Sequence, residues 1–139
     1  MTLLDAYALV AWLAGEPAQA EVRALLDRAP VVSAVNIAET VDQMGRIRGI
    51  DCRPDLDVLV RRGLDVVPFT DVLARSAGSL RARHYHRTRR AVSLGDCAAA
   101  ATALARGIAV ATPDPGLAAV VRVEGGHVVA LPDSRGRRP

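Results

Sequence analysis

The sequence predicts an α/β domain, a three-layer α/β/α sandwich built on a central parallel sheet of about five strands. Short apolar runs rich in valine alternate with helical stretches along the whole chain, the mark of a parallel sheet covered by helices. Several of these runs are uniformly apolar instead of alternating, which suits strands buried on both faces. The chain has 139 residues, 50% of them hydrophobic and 24% charged, one domain of ordinary size that needs no disulfide or structural metal for stability.

The elements follow in order. Leu3-Leu4 opens the sheet and a helix spans 6–14, running toward Gly15-Glu16-Pro17. A second helix covers 17–28, Val31-Val32 is the next strand, and helices follow at 34–48 and 55–62. The run Asp65 to Val67 is a strand and 71–84 a helix. A helix over 94–106 starts at Ser93-Leu94-Gly95-Asp96, a variant capping box. Ile108 to Ala111 and Val128 to Leu131 complete the sheet. There is no linker and no internal repeat. Residues 1–132 read as the domain, and 133–139, with three arginines and no apolar residue, as a flexible basic tail.

All 18 basic residues other than histidine are arginine, and the chain has no lysine. That excludes a P-loop nucleotide binder, a Schiff-base enzyme and a protein kinase, each of which needs a lysine amine. It also disfavours signalling receivers and haloacid-dehalogenase-type phosphatases, which use a lysine as well as acids; the latter want an acid two residues after the first, where Tyr7 stands. Arginine binds or steers anions but does not act as a base. The run Leu3 to Leu13 has no basic residue before it, carries Asp5, and is too short to span a membrane. The expectation is a cytoplasmic protein with reduced thiols and no membrane association. Cys52 and Cys97 make no disulfide framework.

In an open parallel sheet, ligands bind beyond the carboxyl ends of the strands. Here those positions are acidic. Asp5 follows Leu3-Leu4 directly, Asp114 follows the fourth strand after Thr112-Pro113, and Asp96 opens the alanine-rich helix. Ser33, Asn36 and Glu39, each three residues from the next, share one face at the start of the third helix. Each acid alone has a structural explanation: Asp5 and Asp114 as N-caps, the latter before Pro115, Asp96 in the capping box, Glu39 as a solvated helix residue. Jointly they ask for more, because serine or asparagine caps equally well. Converging carboxylates repel, which raises pKa values or calls for a cation. An all-oxygen donor set favours Mg²⁺ or Mn²⁺, an ion that can activate a water for attack on a phosphodiester. Arg81, Arg83, Arg87, Arg89 and Arg90 are candidates to hold nucleic-acid phosphates beside it, with a solvated arginine-rich turn the equal alternative.

These segments resemble the PIN domain of VapC-type toxins: Leu3-Leu4-Asp5 with an apolar helix, Ser33-Ala34-Val35-Asn36-Ile37-Ala38-Glu39, Ser93-Leu94-Gly95-Asp96 before an alanine-rich helix, and Thr112-Pro113-Asp114 with Leu117. The resemblance covers nearly the whole chain. It implies a metal-dependent endoribonuclease in which Asp5, Glu39, Asp96 and Asp114 gather around Mg²⁺ or Mn²⁺, with Ser33, Asn36 and Thr112 in support. It further implies hydrolysis of transfer or ribosomal RNA by a metal-activated water, leaving a 3′-hydroxyl and a 5′-phosphate. The implied partners are a second copy in a homodimer and a small VapB-type antitoxin, which supplies any DNA binding. The sequence departs from the family at Ala6 and Tyr7, where hydroxylated residues are common, and at Pro115-Gly116, where some members carry a further acid. Tyr7 has two readings, stacking on a base or packing, and in so apolar a helix packing is the favoured one. Trp12 reads as core or dimer contact, Cys97 as an inert small residue, and His84, His86 and His127 as non-ligands without partners nearby in sequence. The alternative from another class is a catalytically inactive PIN-fold module that binds RNA or protein, its acids serving only as caps.

Overall fold

A computed structural model describes residues 1–139. The strands are β1 (Thr2–Leu4), β2 (Val31–Ser33), β3 (Asp65–Val67), β4 (Ala109–Thr112) and β5 (Val128–Ala130). The helices are α1 (Ala6–Ala14), α2 (Gln19–Leu26), α3 (Ala34–Arg48), α4 (Arg53–Arg61), α5 (Asp71–His84), α6 (Leu94–Arg106) and α7 (Pro115–Val123). All strand pairs are parallel, in the order β3-β2-β1-β4-β5.

Side chains alternate across a pleated strand, so neighbouring residues enter opposite layers. Leu3, Val31 and Val110 go to one core with α5, α6 and α7, whereas Leu4, Val32 and Ala111 go to a second core with α1, α2, α3 and α4. Five three- and four-residue strands thus serve two cores, which is why both strand faces are apolar. The sheet separates the two cores. Six alanines between 98 and 105 let α6 lie close against the sheet; Ala98, Ala99 and Ala100 are fully buried. Gly15 ends α1 in the left-handed region at φ 69°.

One helix went unmarked by periodicity. The start of α7, Asp114-Pro115, is visible in the sequence, but its body Gly116 to Val121 is a short apolar run that reads equally as a buried strand. The last residues turn back on the domain: Asp133 accepts from the Arg135 and Arg137 amides, both at 2.8 Å, and Arg138 pairs with Glu21 of α2 at 2.6 Å. No helix is long and apolar enough to cross a membrane.

Candidate active site

The chain runs from β1 outward to β2 and β3, then returns to the other side of β1 as β4 and β5. The connections leave β1 and β4 in opposite directions, so a crevice opens at their carboxyl ends. Asp5 and Asp114 stand on its two lips. Leu4 is in register with Ala111, which sets Asp5 beside Thr112. The Thr112 hydroxyl donates to Asp5 Oδ2 and accepts from the Asp114 amide at 2.9 Å, so one side chain ties both lips together.

Three of the acids do cap helices. Asp5 Oδ1 accepts from the Ala8 amide and Asp114 Oδ1 from the Leu117 amide, both at 2.7 Å. Asp96 Oδ2 accepts from the Ser93 amide at 2.8 Å, and Ser93 Oγ accepts from the Asp96 amide at 3.0 Å. Capping holds one carboxylate oxygen of each in place, while Asp96 Oδ1 and Asp114 Oδ2 make no hydrogen bond within the chain. Glu39 is no freely solvated helix residue: its Oε2 accepts from Asn36 Nδ2 at 2.7 Å, and the same amide donates to the Gly95 carbonyl at 3.2 Å. Asn36 therefore ties α3 to the start of α6. A Cβ on residue 95 would overlap the Glu39 carboxylate, so glycine is what lets this approach occur. Ser33 lies outside the cleft, capping α3 through the Val35 amide at 3.3 Å.

All four acids line one cleft of about 280 Å³, with Ala6, Tyr7, Gln43 and Ser93. Gln43 had gone unnoticed; it stands one turn after Glu39, and that i, i+4 spacing was the available signal. Burial pushes Asp5 up to about 7, against the bonds from Thr112 and Ala8 and helped by the charges of Asp96 and Asp114. Burial also raises Glu39 and Asp96, with Asp96 acting on Glu39 and Asp114 on Asp96. The acids therefore feel one another as a group. The Tyr7 phenol is raised by burial and then by Asp114, Asp5, Asp96 and Glu16. Tyr7 is 49% exposed, which corrects its reading as a packed residue: its ring faces the cleft while Ala8 packs into the core.

Whether these residues suit a divalent ion turns on donors and spacing. The donors are all oxygen, the chemistry of Mg²⁺ or Mn²⁺. Asn36 Oδ1, beside Glu39, is the one buried side-chain polar atom without a hydrogen-bond partner. No three acids stand close enough to form the shell of one ion by themselves. Mg²⁺ keeps several waters and takes only one or two carboxylates directly, so the residues fit a hydrated ion.

The basic stretch is less uniform than its sequence. Arg81 donates to the Val92 carbonyl at 3.0 Å and lies over the Tyr85 ring, 4.4 Å from its centroid. Arg83 pairs with Glu124, the residue that caps the end of α7, at 2.9 Å. His84, its side chain 9% exposed, has the acidic partner its sequence neighbours lack: its Nε2 meets Glu124 at 2.6 Å and its Nδ1 meets Arg90 at 3.0 Å. Arg90 is thereby held beside Gly116. Arg87 and Arg89 are exposed, and their side chains make no ion pair. Cys97 is fully buried, its thiol pushed by burial to about 11, so it is inert.

A three-layer α/β fold with acids gathered at the switch point of its sheet defines the class. Residues 2–123 match the family model of the PIN domain, and the chain belongs to that family. No curated protein sequence matches it. Among solved structures, it is similar to Mycobacterium tuberculosis VapC20, a sarcin-ricin loop cleaving toxin, at 19% identity and TM-score 0.72, covering 86% of this chain and 94% of that one. It is also similar to FitAcB from Neisseria gonorrhoeae, at 21% identity and TM-score 0.64, covering 92% and 96%. A third is VapBC2 from Rickettsia felis, bound to a DNA fragment from its promoter, at 16% identity and TM-score 0.64 over 92% and 96%.

Proposed function

We propose that the chain is a Mg²⁺- or Mn²⁺-dependent endoribonuclease and the toxin of a VapBC-type toxin–antitoxin pair. The observation that supports this best is one cleft lined by four carboxylates from four separate segments, Asp5, Glu39, Asp96 and Asp114, coupled electrostatically. Caps alone would not need Glu39, which caps nothing. In this reading the four acids would hold a hydrated ion, one or two of them directly and the others through its waters, and when bound it would polarise water and neutralise charge developing on the phosphate. Thr112 holds Asp5 and Asp114 in mutual register, Asn36 and Gly95 orient Glu39, and Ser93 fixes Asp96. Arg87, Arg89 and Arg90 attract the RNA backbone from the α5–α6 side. The likeness to VapC20, a sarcin-ricin loop cleaving toxin, and to DNA-bound VapBC2 supports an RNA substrate and an antitoxin that brings DNA binding; a transfer or ribosomal RNA target, a homodimer and a cytoplasmic location follow from the family resemblance.

Purified chain should cut structured RNA in Mg²⁺ or Mn²⁺ and not in EDTA. Asp96→Asn should abolish the cut with the fold retained, since asparagine still accepts from the Ser93 amide. Full activity in a folded Asp96→Asn variant, or no cut by the wild type, refutes the reading. The inactive binding module predicts the second result.

A further inference from the structure

A second cleft of about 280 Å³ adjoins the acidic one, and the two share Tyr7 and Asp114. Its other walls are Pro113, Pro115, Pro132, Glu16 and the Asp133-Ser134 turn. Tyr7 is half open to solvent in a chain with only two tyrosines, one phenylalanine and one tryptophan. An aromatic face left uncovered on an otherwise buried helix is free to stack on a planar ligand. Proline rings give flat apolar surface opposite.

The wall is also held in place. Leu131 donates to the Thr112 carbonyl at 3.0 Å, the Asp133 carboxylate closes the turn onto Arg137, and Arg138 fastens the tail to α2. Residues 132–134 lie beyond the segment 2–123 that matches the family, so the match does not account for this wall.

We infer that the second cleft is a nucleobase subsite in which Tyr7 stacks on a base next to the scissile phosphate; this rests on the ribonuclease reading. Charge decides which part of RNA enters. The cleft is lined by the carboxylates of Glu16, Asp114 and Asp133; Arg48 and Arg137 pair with the first and last from outside it, so no free cation lines the cleft to hold a phosphate. A base has flat faces for tyrosine and proline, and amino groups that donate to carboxylates. Asp133 is occupied by Arg137, and Glu16 gives Oε1 to Arg48 at 2.6 Å, leaving Glu16 Oε2 without a hydrogen bond in the chain. Glu16 Oε2 is left to accept from a base N–H, exocyclic amino group or ring imide alike.

Labelled oligoribonucleotides varied at single positions test this with the full chain. Fluorescence anisotropy with Ca²⁺ in place of Mn²⁺ reads binding, and sequencing of new 5′ ends in Mn²⁺ reads where cutting falls. Tyr7→Ala should weaken binding about 5- to 150-fold, the loss of one base stack, and flatten the preference at one position beside the cut. Tyr7→Phe should keep both, and Glu16→Gln should change the base preference at that position. Wild-type binding and preference in a folded Tyr7→Ala variant overturn the subsite, as does equal loss in Tyr7→Phe. Tyr7-dependent binding by a wild type that cuts nothing in Mn²⁺ supports the subsite and overturns the ribonuclease reading. A wild type that binds no RNA overturns both.

Discussion

Asp5→Asn should stabilise the metal-free protein at neutral pH, although it removes a central acid. Asp5 is 3% exposed, and its carboxyl is raised from 3.8 to about 7 in the folded state. A group whose folded pKa lies above its unfolded value binds its proton more tightly in the folded chain. Its stabilising effect is complete below about pH 4 and is lost as pH rises through about 7. A shift of about three pKa units at 1.36 kcal/mol each makes the ionised Asp5 cost about 4 kcal/mol above pH 7. Asparagine removes that cost but serves the Ala8 amide and the Thr112 hydroxyl less well, a loss of about 1 to 2 kcal/mol. The net gain is about 2 to 3 kcal/mol, on the order of 10 °C in Tm for a domain of this size. Urea unfolding in EDTA from pH 4.5 to 8.5 measures it. Wild-type stability should fall relative to Asp5→Asn across that window, and Mn²⁺ should rescue the wild type far more than the variant. Equal pH slopes in the two proteins would refute the electrostatic reasoning, whatever the activity.

Gly95→Ala should keep or slightly raise the melting temperature, because alanine is the better helix residue by about 1 kcal/mol, yet lower Mn²⁺ affinity by displacing the Glu39 carboxylate. Unchanged affinity by calorimetry would show that Glu39 needs no such placement. Truncation of the contact between His84 and Arg90 should act through Arg90: His84→Leu, Arg90→Ala and the double variant should weaken RNA binding by similar factors, so that the double-mutant cycle is non-additive. Additive losses would separate the two residues. Cys52 and Cys97, both buried, should resist Ellman's reagent until the chain unfolds; fast labelling of the native protein would contradict the packing.

The fold was legible because each strand is apolar on both faces and the helices carry their own boundary residues. Thr112 and Asn36 were visible as neighbours of acids, but their contacts were not: the Thr112 bridge comes from the β1–β4 register, and the Asn36 bond to Gly95 spans 59 residues. Caps and cleft had looked like rival explanations of Asp5, Asp96 and Asp114. They coexist, because a cap uses one carboxylate oxygen and leaves the other to Thr112 in Asp5 and without a partner in Asp96 and Asp114. What stayed hidden was long-range pairing. His84 finds Glu124 40 residues away, and the opening of Tyr7 depends on walls from Pro113 to Ser134 that no local pattern in α1 announces.

Calorimetric titration of Mn²⁺ into the wild type and into Asp5→Asn, Glu39→Gln, Asp96→Asn and Asp114→Asn asks whether the four acids form one centre. Saturable binding by the wild type, weakened at least about tenfold in every variant, is the expected result. No binding up to millimolar Mn²⁺, or binding that all four variants retain, would contradict it.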